Sequence, residues 1–176
     1  VSRKGVDLLE QALPEIGALG CQVILQGFGD RNYENIFAEL AERYREFFVF
    51  HKNLDQEETI RILSGSDMFL KPSRFEPCGL NQIYAMRFGT IPIAHRTGGL
   101  DDTISDETDM NPNARTGFKF DNYSVKSMLE AINRAVDVFK SRNEWAKLVS
   151  QAMRQDFSWK NSARQYCDLY EQIQKQ

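Results

Sequence analysis

The chain has 176 residues, 41% hydrophobic and 27% charged, with a formal net charge of −3. That length suits one domain with a substantial core, and the weak negative charge gives no electrostatic case for nucleic acid or an anionic membrane. No apolar run approaches the roughly twenty residues of a membrane span. Cys21, Cys78 and Cys167 are odd in number, far apart and without metal-ligand spacing, which fits a reducing compartment better than a disulfide framework.

The chain opens on Val1-Ser2-Arg3-Lys4-Gly5 without an initiator Met. It reads as a cut end, from which a targeting segment could have been removed. Val6, Leu9, Ala12, Leu13 and Ile16 then mark an amphipathic helix ending near Gly17 or Gly20. Residues 21–26 read as a buried strand, closed by Gly27-Phe28-Gly29-Asp30. A helix carrying Tyr33, Ile36, Phe37, Leu40 and Tyr44 follows, then a strand over 47–50 with His51-Lys52-Asn53 in its turn. Residues 57–64 form a short helix and 67–71 a mostly apolar strand, stopped by Pro72.

After Pro72, Leu80, Ile83, Tyr84, Arg87 and Phe88 repeat at the spacing of a helix with one buried stripe, and Gly89 ends it. Residues 90–94 are a further strand, running into His95-Arg96-Thr97-Gly98-Gly99. The polar stretch 105–116 reads as a mobile surface loop, and 117–120 as a last short strand. Helices over 124–140, 143–154 and 158–174 complete the chain, the last with a stripe of Trp159, Ala163, Tyr166, Tyr170 and Ile173. Strands alternating with helices predict an α/β fold, Rossmann-like and doubly wound. Its sheet is mostly parallel with helices on both faces, and residues 1–176 form one domain.

The turn between Pro72 and the helix carries the chemistry. It lies at the carboxyl end of a strand and the amino end of a helix, where ligands bind in open α/β sheets. Backbone N–H groups of Gly79, Leu80 and Asn81 are expected to point outward, with the helix dipole favouring an anion before them. Gly79 permits close approach of a ligand to the backbone. A carboxylate at Glu76 beside such an anion hole suits a ligand with both hydroxyls and phosphate, as in a sugar nucleotide. The other reading of Glu76 is a cap for the following helix, worth about 1 kcal/mol.

The run SRFEPCGLNQIYAMRFGTIPI followed by RTGGLDDTI resembles the donor-site signature of bacterial glycogen synthases and plant starch synthases, with KGVDLL, LQGFGD and DFSW in the flanks. These are retaining glycosyltransferases of the GT-B fold. The resemblance covers the whole chain and only the carboxyl-terminal half of such an enzyme. Many related enzymes carry a second Glu eight positions after the first; this chain has Tyr84 there, a departure that glycogen and starch synthases share.

The resemblance implies a nucleotide-sugar-binding domain whose segment 158–176 is a crossover-type helix toward a missing amino-terminal domain. Part of its stripe would then be stranded on the surface and promote self-association. The parent would transfer glucose from ADP-glucose or UDP-glucose to the non-reducing end of an α-1,4-glucan, with no other cofactor, no metal, and no nucleic-acid or membrane partner. It would work in a bacterial cytoplasm or a plant plastid stroma. Arg3 and Lys4 match the phosphate-binding cations, Glu76 the sugar-binding catalytic carboxylate, and Cys78 a thiol against the donor sugar. Without the resemblance, Arg3 and Lys4 are an exposed basic helix start and Cys78 a buried inert thiol.

Thr97, Gly98 and Gly99 would line the site. Gly27 and Gly29 would line the nucleotide cleft or form a purely structural turn. Leu54 stands where a nucleobase-stacking aromatic is often found, which leaves ADP and UDP both open. His51 and His95 read as solvated loop histidines. Asp101-Asp102 and Asp106-Glu107 read as helix caps and a solvated loop rather than a metal site.

Two departures bear on the fold. Family members place a strand before the first helix and a few residues between SR and KG, whereas Ser2-Arg3-Lys4-Gly5 are contiguous here. Either that loop is short or residues are missing from the numbering between Arg3 and Lys4. A sheet without its middle strand is expected to need something in that place. The rival readings are another retaining GT-B transferase, such as a sucrose- or trehalose-making one, and a non-catalytic nucleotide- or glucan-binding module.

Overall fold

The computed structural model describes residues 2–109 and 115–174. A 3-10 turn, Ser2–Lys4, leads through Gly5 into α1 (Val6–Ala18), β1 (Val23–Gln26), α2 (Arg31–Arg43), β2 (Phe48–His51), α3 (Gln56–Gly65) and β3 (Met68–Lys71). Then come α4 (Asn81–Phe88), β4 (Ile91–His95), a short α5 (Gly98–Thr103), β5 (Phe118–Phe120), α6 (Val125–Lys140), α7 (Arg142–Met153) and α8 (Trp159–Gln174). No helix among the described residues is long and apolar enough to cross a membrane.

Local chemistry sets these boundaries. Asp30, Asp55 and Ser124 each accept a hydrogen bond from a first-turn amide, at 2.9, 2.8 and 3.2 Å, and so cap α2, α3 and α6. Gly89, at φ 85°, closes α4 in the left-handed conformation that glycine adopts without steric cost.

All strand pairs are parallel, but the sheet is divided. β1 pairs with β2, with Val23 opposite Phe48, and β3–β4–β5 make a second sheet, with Lys71 opposite Ala94 and His95 opposite Phe120. One edge of β1 and one edge of β3 lack a strand partner among the described residues. A single apolar cluster nevertheless takes in Val23 and Leu25, Met68 and Leu70, and the buried face of α1 (Leu8, Leu9, Ala12, Leu13 and Ile16). One core therefore runs beneath both sheets.

β4 is buried along its whole length. Ile91 and Ile93 enter that core, while Ala94, on the opposite face, packs with Leu100 and Ile104. Both faces of the larger sheet are thus covered, as the apolar run of residues 91–94 requires. The smaller sheet differs. Ile24 and Val49 are register partners and are 50% and 45% exposed, so the strand expected to be buried over 21–26 is half exposed and shortened to four residues. The other face of β2 holds Phe48 and Phe50 against Phe37 of α2.

Two helix faces also depart from expectation. On α4 the buried side chains are Gln82, Ala85 and Met86, whereas Leu80, Tyr84 and Phe88 are exposed. That face packs against β4 and the neighbouring helices, and the rings of Tyr84 and Phe88 turn outward. On α8 no residue is buried, and Trp159 is 90% exposed; its stripe does not pack on the domain.

Candidate functional site

β3 delivers Lys71 and then Pro72 to the edge of the larger sheet, and the chain turns through 73–80 before α4. The start of the chain is moored to this turn. Gly5 adopts φ 76°, and a Cβ there would overlap the Pro72 carbonyl oxygen. The Arg74 amide donates to the Arg3 carbonyl oxygen at 2.9 Å. These contacts bring Lys4 over the turn.

The result is a cluster of charge around one carboxylate. Glu76 Oε2 receives Lys4 Nζ at 2.8 Å, Ser73 Oγ at 3.1 Å and Lys71 Nζ at 3.2 Å. Glu76 is 8% exposed. Burial alone would push its carboxyl up, but the hydrogen bond from Lys4 and the charge of Lys71 outweigh that and hold it below the usual carboxylate range. Burial pushes the Lys71 ammonium down, and the like charge of Lys4 adds to this, while Glu76 opposes it. The carboxylate is spoken for by lysines and does not cap α4. Its Oε1 accepts no hydrogen bond among the described residues.

His95, at the end of β4, is 8% exposed, with Nδ1 2.9 Å from the Ser73 carbonyl oxygen and its ring against Phe120 and Tyr123. It is therefore no solvated loop histidine. It fixes the residue whose hydroxyl holds Glu76. His51 ends β2 and pairs with Glu58 at 2.8 Å.

A second turn backs the first. Gly99 N donates to the Glu76 carbonyl oxygen at 3.0 Å. A Cβ on Gly98 would overlap that oxygen, and one on Gly99 the Cys78 carbonyl oxygen. These glycines serve close contact between two backbone turns, with Thr97 just before them at the start of α5. Gln82 is wholly buried, and its Nε2 donates to the carbonyl oxygens of Gly79 at 2.9 Å and Cys78 at 3.2 Å and to Thr103 Oγ1 at 3.2 Å. Gly79 sits at φ 73°. The amides of Gly79, Leu80 and Asn81 donate no hydrogen bond among the described residues, at the amino end of a helix that lacks a side-chain cap. Such amides attract anions.

Cys78 is exposed rather than buried, with its thiol 3.7 Å from the Gly79 carbonyl oxygen. The Arg3 side chain is exposed and enters no ion pair among the described residues. Gly27 and Gly29 lie in the loop after β1, and Leu54 in the loop after β2. Gly27 N donates to the His51 carbonyl oxygen at 3.0 Å, Gly29 N to Glu34 Oε1 at 2.8 Å, and Leu54 is 61% exposed. No hydrogen bond or ion pair joins them to Glu76 among the described residues.

The acidic residues read as a solvated loop are also built in. Asp106 is fully buried and accepts from the amides of Glu107 and Lys119, both at 2.6 Å, and from Arg134 at 2.9 Å. Arg96 pairs with Asp101 at 3.0 Å and Asp109 at 2.7 Å. These bonds anchor 105–109, so that part of the expected mobile loop is fixed; 110–114 lie outside the described residues. Lys71, Ser73, Gln82 and His95 are the site residues that pattern reading missed. Only Lys71 left a signal, as a cation ending an apolar strand.

Residues 1–151 match the family model described as Glycosyl transferases group 1. The chain is 41% identical over 174 residues to a glycogen synthase of Koribacter versatilis and 43% identical over 178 aligned positions to glycogen synthase 2 of Nitrosococcus oceani. These alignments cover 99% and 100% of the chain, which spans 36% of the length of each relative. Its fold superposes with a TM-score of 0.88, at 34% identity, on the catalytic domain of starch synthase IV from Arabidopsis thaliana bound to ADP and acarbose, covering 98% of this chain and 36% of that one.

Proposed function

The chain belongs to the group 1 glycosyl transferases, and from that premise we propose that it is the donor-binding domain of a glucan synthase of the glycogen and starch synthase type. The whole enzyme transfers glucose from ADP-glucose or UDP-glucose to the terminal 4-hydroxyl of an α-1,4-glucan with retention. An amino-terminal domain supplies the acceptor contacts, so this domain alone is inactive. The setting is the bacterial cytoplasm or the plastid stroma. The observation that carries this reading is the corner where Glu76, Lys4 and the amides of residues 79–81 meet.

The chemistry follows from those groups. Glucose hydroxyls donate to Glu76 Oε1, which accepts no hydrogen bond among the described residues, while Oε2 stays held by Ser73 and Lys71. The diphosphate takes Lys4 and the amides of Gly79, Leu80 and Asn81, with Arg3 free to close on it. Such charge-assisted bonds stabilise negative charge as the bond from the anomeric carbon to the phosphate oxygen breaks. The acceptor hydroxyl oxygen then bonds to that carbon from the same face, and its proton passes to the departing phosphate oxygen. The ionised Glu76 supports the positive charge that grows there.

Calorimetry of the chain with ADP, UDP, ADP-glucose, UDP-glucose and a maltooligosaccharide tests the reading. Saturable binding of a nucleotide sugar, weakened at least tenfold in Glu76→Ala, is the expected result. Binding of the maltooligosaccharide alone overturns it in favour of a glucan-binding module.

A further inference from the structure

We infer that Lys71 is a positioning residue, the resident counter-charge of Glu76, which frees Lys4 to leave the carboxylate for the anionic end of the ligand. The inference rests on the donor-site reading above and assigns it a division of labour. Both ammonium groups meet the same oxygen, Glu76 Oε2, at 2.8 Å from Lys4 and 3.2 Å from Lys71. They are held very differently. The Lys71 side chain is 16% exposed and springs from the last residue of a strand bonded into the sheet, opposite Ala94. The Lys4 side chain is 56% exposed and springs from a short 3-10 turn.

Two ammonium groups on one carboxylate leave the cluster with one positive charge in excess, which a nearby anion would take. If Lys4 were the sole partner, its departure would strand a nearly buried carboxylate, and the anion would have to compete with Glu76 for it. With Lys71 in place, Glu76 stays paired and ionised whichever way Lys4 points. Burial and the adjacent Lys4 charge both press the Lys71 ammonium down, so the departure of Lys4 also relieves Lys71. The groups that face this cluster are Lys4 from the opening turn, Lys71 from β3, Ser73 from the loop and, through the Ser73 carbonyl oxygen, His95 from β4.

The test is a mutant cycle read by calorimetry, with inorganic pyrophosphate and ADP as probes; neither carries the glucose that Glu76 would hold. Lys71→Met is expected to weaken both probes about tenfold, because Lys4 is then retained by Glu76. Lys71→Arg is expected to restore them. Glu76→Gln alone is expected to tighten pyrophosphate, since it releases both lysines. In the Glu76→Gln background Lys71→Met should lose most of its effect. A simple loss of positive charge would persist there, so an undiminished effect overturns the inference, as does unchanged binding in Lys71→Met. Should Lys71→Met fail to fold, Lys71→Gln takes its place in the cycle. Pyrophosphate binding without nucleotide binding would sink the donor reading and leave the cycle to judge Lys71. Binding of neither probe overturns both.

Discussion

Lys4 Nζ lies 2.8 Å from Glu76 Oε2, a bond between residues 72 positions apart in the chain. It fastens the opening turn to the loop after β3, and with Lys71 it keeps the carboxyl below its ordinary range. A group depressed in the folded state contributes stability above its unfolded pKa and loses it as pH falls through the folded value. Glu76→Gln should therefore cost about 1–3 kcal/mol at neutral pH. The gap from the parent chain should shrink below about pH 4. Thermal melts of both proteins across pH 2–7 check this.

Gly5→Ala should damage stability and site together. The backbone there is at φ 76°, and the added methyl would overlap the Pro72 carbonyl oxygen. Left-handed strain and the collision sum to about 2–4 kcal/mol. Moving the turn also carries Lys4 away from the site, so pyrophosphate affinity should fall with the melting temperature.

Gly99 and Gly65 form a contrast. A Cβ on Gly99 would overlap the Cys78 carbonyl oxygen, whereas one on Gly65 meets nothing within 4 Å. Gly99→Ala should cost roughly 1–3 kcal/mol and pull the 76–79 turn from its backing. Gly65→Ala, at the end of α3, should leave stability unchanged or raise it by up to about 1 kcal/mol. Denaturant unfolding of the two variants decides the point.

Asp109 is held down to about 2. Burial opposes this, but the Asp106 amide, Lys119 and Arg96 prevail over it. Its contribution, on the order of 2 kcal/mol, is present above about pH 4 and lost as pH falls toward 2. Asp109→Asn should be less stable than the parent at pH 6 and converge with it near pH 2, as read by urea midpoints.

Since α8 buries none of its residues, removal of 157–176 should shift the melting temperature by no more than a few degrees. The truncated chain should also scatter less light at high concentration, because Trp159, Tyr166 and Tyr170 leave with the helix. A large loss of stability would show that α8 packs on the domain after all.

The division between sequence and tertiary structure runs through particular residues. Local pattern sufficed for the alternation of strands and helices, for the stop at Pro72 and for the helix-ending glycine at 89, because periodicity, caps and turns depend on residues a few positions apart. It also located Glu76 and the free amides, which share one turn. Pattern largely failed on α4, where spacing named Leu80, Ile83, Tyr84, Arg87 and Phe88 as the buried stripe and packing chose Gln82, Ala85 and Met86, with only Ile83 of the stripe packed against the core. Which side of a helix is covered depends on its neighbours. The missing middle strand was legible from the absence of a strand before the first helix. The burial of His95 and Asp106 and the meeting of Lys4 with Lys71 on one carboxylate oxygen were decided only by the fold. Each joins segments far apart in the chain, and no local rule specifies which distant groups a strand order brings within 3 Å.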